Sequence, residues 1–163
     1  MSGFRATKAG DAFRLEVKYE EKYDEEEKLG TPKNILDWIH QTLGGEVQKC
    51  PGSTWQDIST YLKDGVILCK LVNKLTGGKP KADFNEKGAG KSFVAMNNIE
   101  NFNRVAREYG VPESALFQTP DLYEGRKGPL LNVINCLNQL GFVANNKGFE
   151  PKYQGPAPPK FDN

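Results

Sequence analysis

The 163-residue sequence is poor in the side chains that most catalytic and metal centres need: it has one histidine and three cysteines. With His40 alone, multi-histidine metal sites have no ligand set, and Ser/His/Asp or Cys/His catalysis has a single imidazole to draw on. Its place between Ile39 and Gln41 in a helical pattern reads as a solvated surface imidazole. Cys50, Cys69 and Cys136 are odd in number, widely separated and form no Cys-x-x-Cys pair. That pattern predicts reduced thiols rather than a disulfide framework. No apolar run approaches the roughly 18 residues of a membrane span, and the stretch before Leu15 lacks the core of a signal peptide. The expectation is a soluble cytoplasmic protein with no membrane partner. Charge of one sign is also missing, since 22 basic residues face 21 acidic ones for a net +1. A globally basic nucleic-acid binder is therefore disfavoured. No segment alternates convincingly with period two, so no strand is expected.

What is present is helical periodicity. Residues 1–30 form an acidic leader of net −2 whose sharpest cluster is Asp24-Glu25-Glu26-Glu27. Phe13, Leu15, Val17, Tyr19 and Tyr23 let it lie against a core, and partial helix is predicted. Thr31-Pro32 reads as a helix start, with Thr able to cap and Pro in the first turn. Ile35, Trp38, Ile39 and Leu43 follow at helical spacing until Gly44-Gly45. Between Trp55 and Leu75 apolar residues become dense, with Asp64 a candidate cap for Val66–Leu75. Apolar on most sides, that helix belongs in the middle of a core. A Gly-, Lys- and Pro-rich loop spans 76–91. Ser92 then caps a predicted helix through Phe93, Met96, Ile99, Phe102, Val105, Ala106 and Tyr109, stopped by Gly110. Pro112–Phe117 is a short helical turn. The last long helix is placed from about Gly128-Pro129 to Gly141, and residues 144–163 form a Pro-rich flexible tail. Within it, Pro156-Ala157-Pro158-Pro159-Lys160 has the composition of a polyproline II ligand, a motif that chance produces often.

Chemistry is sparse. Gly90-Lys91-Ser92 opens a helix as a phosphate-binding loop does, but the required first glycine falls at Asn85 and no strand precedes it. No Asp/Asn alternation with a central Gly makes a calcium loop, and no carboxylate spacing recommends a hydrolytic pair. A non-enzymatic chain with no cofactor and no metal is expected. The charge distribution is more informative. Residues 70–107 carry eight basic and three acidic side chains, net +5, whereas the flanking 31–69 and 108–143 carry −1 and −2. Lys70, Lys74, Lys79, Lys81, Lys87, Lys91, Arg104 and Arg107 supply that excess. They suit either a solvated loop or docking to an acidic polymer.

The segment Tyr61-Leu62-Lys63-Asp64-Gly65-Val66-Ile67-Leu68-Cys69-Lys70-Leu71-Val72-Asn73-Lys74-Leu75 resembles the central helix of a calponin homology domain, preceded by a Trp-bearing helix at Trp38. Phe93-Val94-Ala95-Met96, Asn98-Ile99, Phe102, Tyr109-Gly110-Val111-Pro112 and Phe117-Gln118-Thr119-Pro120-Asp121-Leu122-Tyr123-Glu124-Gly125 continue the likeness. The last block and Lys22-Tyr23-Asp24-Glu25 are similar to the calponin/transgelin branch, and the likeness covers about 18–143.

This resemblance implies an all-α domain over 31–143, with four main helices around a buried central one plus short helical turns. It also implies a cytoskeletal monomer that binds filamentous actin and stabilises or crosslinks filaments. A signalling scaffold that engages a signalling protein is the alternative. The implied actin-contacting positions are Lys79, Lys81, Lys87, Lys91, Asn97, Asn98, Asn101, Arg104 and Arg107, with Phe93, Met96, Ile99 and Phe102 on the core side. Relatives of this kind usually continue into C-terminal calponin-like repeats, and none follows here. Lys147, Lys152 and Lys160 are therefore the candidates for a second contact, as a bivalent crosslinker requires.

Overall fold

Hydrophobic spacing sets the helices of the computed structural model, which describes residues 2–156 and, within the first helix, side chains from Gly10 onward. The helices are α1 (Ser2–Leu29), α2 (Thr31–Leu43), α3 (Trp55–Leu62), α4 (Val66–Thr76), α5 (Ser92–Tyr109), α6 (Thr119–Tyr123) and α7 (Lys127–Asn146). Single 3-10 turns occupy Gly44–Glu46 and Glu113–Ala115. No strand occurs among the described residues, as the sequence predicts.

The core has two buried axes. Helix α4 lies against α2, α3 and α5 and buries Val66, Leu68, Cys69, Leu71, Val72 and Leu75. Helix α7 packs on α1, α2, α3 and α6, so the centre that the sequence assigns to 66–75 alone is shared. Burial of these aliphatic side chains, each removing apolar surface from water, dominates the stability.

Several boundaries differ from expectation, each for a local reason. The leader is helical throughout α1, and Tyr23 is wholly buried in the common core. Thr31 does not cap α2, because it is already the first helical residue and Gly30, in the left-handed region, occupies the capping position; its hydroxyl instead donates to Glu26 Oε2 at 2.6 Å. Asp64 does assist α4, accepting from Val66 N at 3.0 Å, although Gly65 is the capping residue itself. Ser92 lies inside the first turn of α5 and Lys91 precedes it.

Helix α7 runs past Gly141 to Asn146. A Cβ at Gly141 would overlap the Tyr153 ring, so this glycine serves close packing rather than termination. The residues placed in a flexible tail therefore fold back as far as Tyr153, which is buried. Tyr153 donates to Asn138 Oδ1 at 2.6 Å, Asn145 bonds both its backbone N and O, and Trp38 Nε1 donates to Pro151 O at 3.1 Å. The boundary predicted at 143 thus falls inside α7. The Pro-rich ligand motif lies, after Pro156, outside the described residues, as does Lys160.

Candidate functional site

The basic stretch becomes one continuous surface because three side chains of α5 strap the 79–91 loop along its flank. Asn98 Nδ2 donates to Asp64 O (3.0 Å) and Asn85 O (3.2 Å), while its Oδ1 accepts from Asn85 N (2.9 Å). One turn on, Asn101 Nδ2 donates to Asp83 O at 2.8 Å, and Arg104 then reaches Lys81 O at 3.4 Å. Residues three apart share a helix face, so this spacing makes a ladder of supports. From the other side, Asn73 on α4 clasps Ala82 through both its backbone N (2.7 Å) and O (2.9 Å).

Asn98 is 1% exposed with its amide fully engaged, so it cannot touch a partner. The sequence expectation for this residue is corrected to a structural hub. Burying it without those bonds would cost several kcal/mol. Asn101 is half-buried and holds backbone, whereas Asn97 is exposed. The two asparagines that organise the loop, Asn73 and Asn85, were missed. A lone Asn in the apolar run around 73 was the available signal, since a polar residue among core positions needs a specific partner.

The lysines sort by pairing. Lys70 pairs with Glu86 at 3.1 Å, Lys74 with Glu46 at 2.5 Å and Arg104 with Glu108 at 3.7 Å. Lys79, Lys81, Lys87 and Lys91 are exposed and make no ion pair among the described residues; Arg107 makes none either. The second set is dispersed elsewhere. Lys147 Nζ lies 4.5 Å from the centre of the Tyr109 ring, and Lys152 contacts Asn145 O and, at 3.9 Å, Glu150. Tyr109 ends α5, so Lys147 stands about 27 Å from the Lys91 end by helical rise.

Phe93 and Met96 depart most from expectation. Phe93 is 71% exposed and Met96 36%, while Ile99 and Phe102 are wholly buried as expected. Helical phase explains it: Phe93 is nine residues before Phe102, about 180° round the helix at about 100° per residue. The buried face is instead Ala95, Asn98, Ile99, Phe102, Val105, Ala106 and Tyr109.

His40 is not a free surface imidazole. Its Nε2 accepts Cys50 N–H at 3.1 Å, and its ring meets Tyr61 edge-on. Burial, then nearby Lys49, lowers its pKa, with Asp37 opposing. The Cys50 thiol turns instead to Asp57 O at 3.6 Å, so no Cys/His dyad forms. Among the described residues no cluster of three or more His, Cys, Asp or Glu could hold a metal ion, and no helix is long and apolar enough to cross a membrane.

The helical fold is similar to that of solved calponin homology domains. The calponin homology domain of RNG2 from Schizosaccharomyces pombe matches it with TM-score 0.64 at 22% identity, over 89% of this chain and 84% of that one. The domain of an IQGAP protein from the same organism gives 0.62 at 23%, over 85% and 80%. The calponin homology (CH) domain signature spans residues 30–146, and the chain belongs to this family. It is similar to muscle-specific protein 20 of Drosophila melanogaster (38% identical over 77% of this chain), transgelin of Saccharomyces cerevisiae (39% over 71%) and myophilin of Echinococcus granulosus (34% over 91%). The matches span 64%, 55% and 70% of those relatives' lengths.

Proposed function

We propose that this chain is a cytoskeletal protein that binds filamentous actin through the face made by the 79–91 loop and the exposed flank of α5. The observation that carries the reading is the group Lys79, Lys81, Lys87 and Lys91, exposed on a braced loop without ion pairs among the described residues. Unpaired charges held on a fixed backbone keep their field available to an acidic partner and lose little entropy on docking. Family membership supports actin as the partner. Asn97 and Arg107 extend the face, and Asn98, Asn101 and Arg104 hold its shape. Filament crosslinking needs a second contact, which Lys147 and Lys152 offer from the far end of α5.

Cosedimentation of the full chain with actin filaments across a salt series tests this. Pelleting is expected to be strongest at low salt, because the Debye length shrinks to about 10 Å at 0.1 M. K87E/K91E is expected to weaken it most in that range. Absence of pelleting at every salt concentration overturns the reading. Low-speed pelleting of bundles, lost in K147E/K152E, would support crosslinking.

A further inference from the structure

Lysines alone leave a docked complex weak at physiological salt, since exposed ion pairs contribute little there. The same face carries an apolar element that folding does not require. Phe93, 71% exposed, stands at the edge of a groove of about 350 Å³ between residues 83–85 and the first three turns of α5. Phe84, Val94 and Asn97 line it with Phe93, and Asp83 is its one carboxylate. Met96 follows Phe93 at i+3 and is 36% exposed. An aromatic ring facing water at this helical position adds nothing to the core, and Ala is the better helix former. Aromatic and Met side chains are enriched at the centres of protein interfaces, with charged residues at the rim. Here Lys87 and Lys91 precede Phe93 on the same loop-to-helix junction, and both are unpaired among the described residues.

We propose that Phe93, supported by Met96 and the adjoining groove, is the apolar anchor of the docking face, inserting into an apolar recess bordered by carboxylates on the actin filament. The inference rests on the actin-binding reading above. In it the lysines set the approach and the salt dependence, and Phe93 sets the part of the affinity that survives salt. The collar's charge selects an acidic partner over a second copy of this chain, whose own face would present the same lysines.

The test compares the full chain with F93A, F93L and F13A by actin cosedimentation at low and physiological salt, with thermal unfolding alongside. Phe13 is 67% exposed on α1, away from the groove, and controls for general stickiness. F93A is expected to raise Kd at least tenfold, about 1.4 kcal/mol, at both salt concentrations with Tm unchanged. F93L is expected to fall between, and F13A to match the parent chain. Parental binding by F93A, or an equal loss in F13A, overturns the anchor and leaves the actin reading standing. If the parent chain does not pellet at any salt, both fail. Self-association in analytical ultracentrifugation that F93A abolishes, with pelleting unchanged, would assign the groove to a second copy and overturn the proposal.

Discussion

Replacing Asn98 by Ala tests whether the docking face is held by one buried amide. The side chain spans three backbone groups, Asp64 O at the α3–α4 junction and both Asn85 N and Asn85 O in the loop. At about 1 kcal/mol net per hydrogen bond, the direct loss is about 3 kcal/mol. Asn98 is 1% exposed, so water reaches the orphaned groups only if the loop moves. The molecule must then pay the desolvation of unpaired groups or release the loop, and either outcome keeps the loss near that figure. For a chain of this size about 2–4 °C accompanies each kcal/mol, so Tm should fall by about 6–12 °C. Thermal unfolding followed by circular dichroism gives the first readout. Hydrogen exchange at the Asn85 amide gives the second, with protection expected to drop far more than at buried amides of α7. A Tm loss below about 2 °C, or an Asn85 amide as protected as before, would refute the argument.

Gly65→Ala should also be damaging, by over about 2 kcal/mol. Its φ is +76°, where a Cβ costs about 1–2 kcal/mol, and that Cβ would sit 2.8 Å from both Asn98 Cβ and Ile99 N; urea denaturation measures this. Burial lowers the His40 pKa from its ordinary 6.5, and the neutral Nε2 accepts the Cys50 N–H. The folded state thus favours the neutral imidazole, so this contribution to stability is complete above about pH 6.5 and is lost as the pH falls below it. An NMR titration midpoint at or above 6.5 would contradict this, and His40→Gln should flatten the stability profile between pH 5 and 7.5. Burial pushes the Cys69 and Cys136 thiols up to about 12, whereas Cys50 is half-exposed and raised less. Alkylation of the native protein at pH 8 should therefore label Cys50 first, with all three reacting in denaturant, as mass spectrometry would record.

The helices were legible because their apolar residues recur at helical spacing, and the family because its motifs are ordered along the chain. The termini were less so. Nothing local around 141 says that a glycine will sit under Tyr153 rather than end a helix, since the partner is twelve residues away and docks only after the chain turns back. Thr31 had the right chemistry to cap but falls inside the helix's first turn after Gly30, where its hydroxyl donates to Glu26 on the preceding helix. For α5 the information lies in the sequence, in the helical phase of its apolar residues. Phe93 and Met96 are apolar but out of phase with the buried stripe, and the polar Asn98 holds the position that the geometry reserves for the core.

The charge count shows where composition stops and geometry begins. A net +5 over residues 70–107 treats eight cations as equivalent. In the folded chain Lys70, Lys74 and Arg104 face carboxylates, and two of those, Glu46 and Glu108, lie outside the counted stretch. The lysines left unpaired cluster on the loop, and most of the loop's braces are the neutral amides of Asn73, Asn98 and Asn101, with Arg104 and the Lys70–Glu86 pair adding charged contacts. The amide braces leave the charges of Lys79, Lys81, Lys87 and Lys91 unpaired and are themselves insensitive to salt. Screening should therefore weaken docking while largely sparing the face itself, so binding that falls steeply with salt beside a Tm that changes little is the signature this arrangement requires.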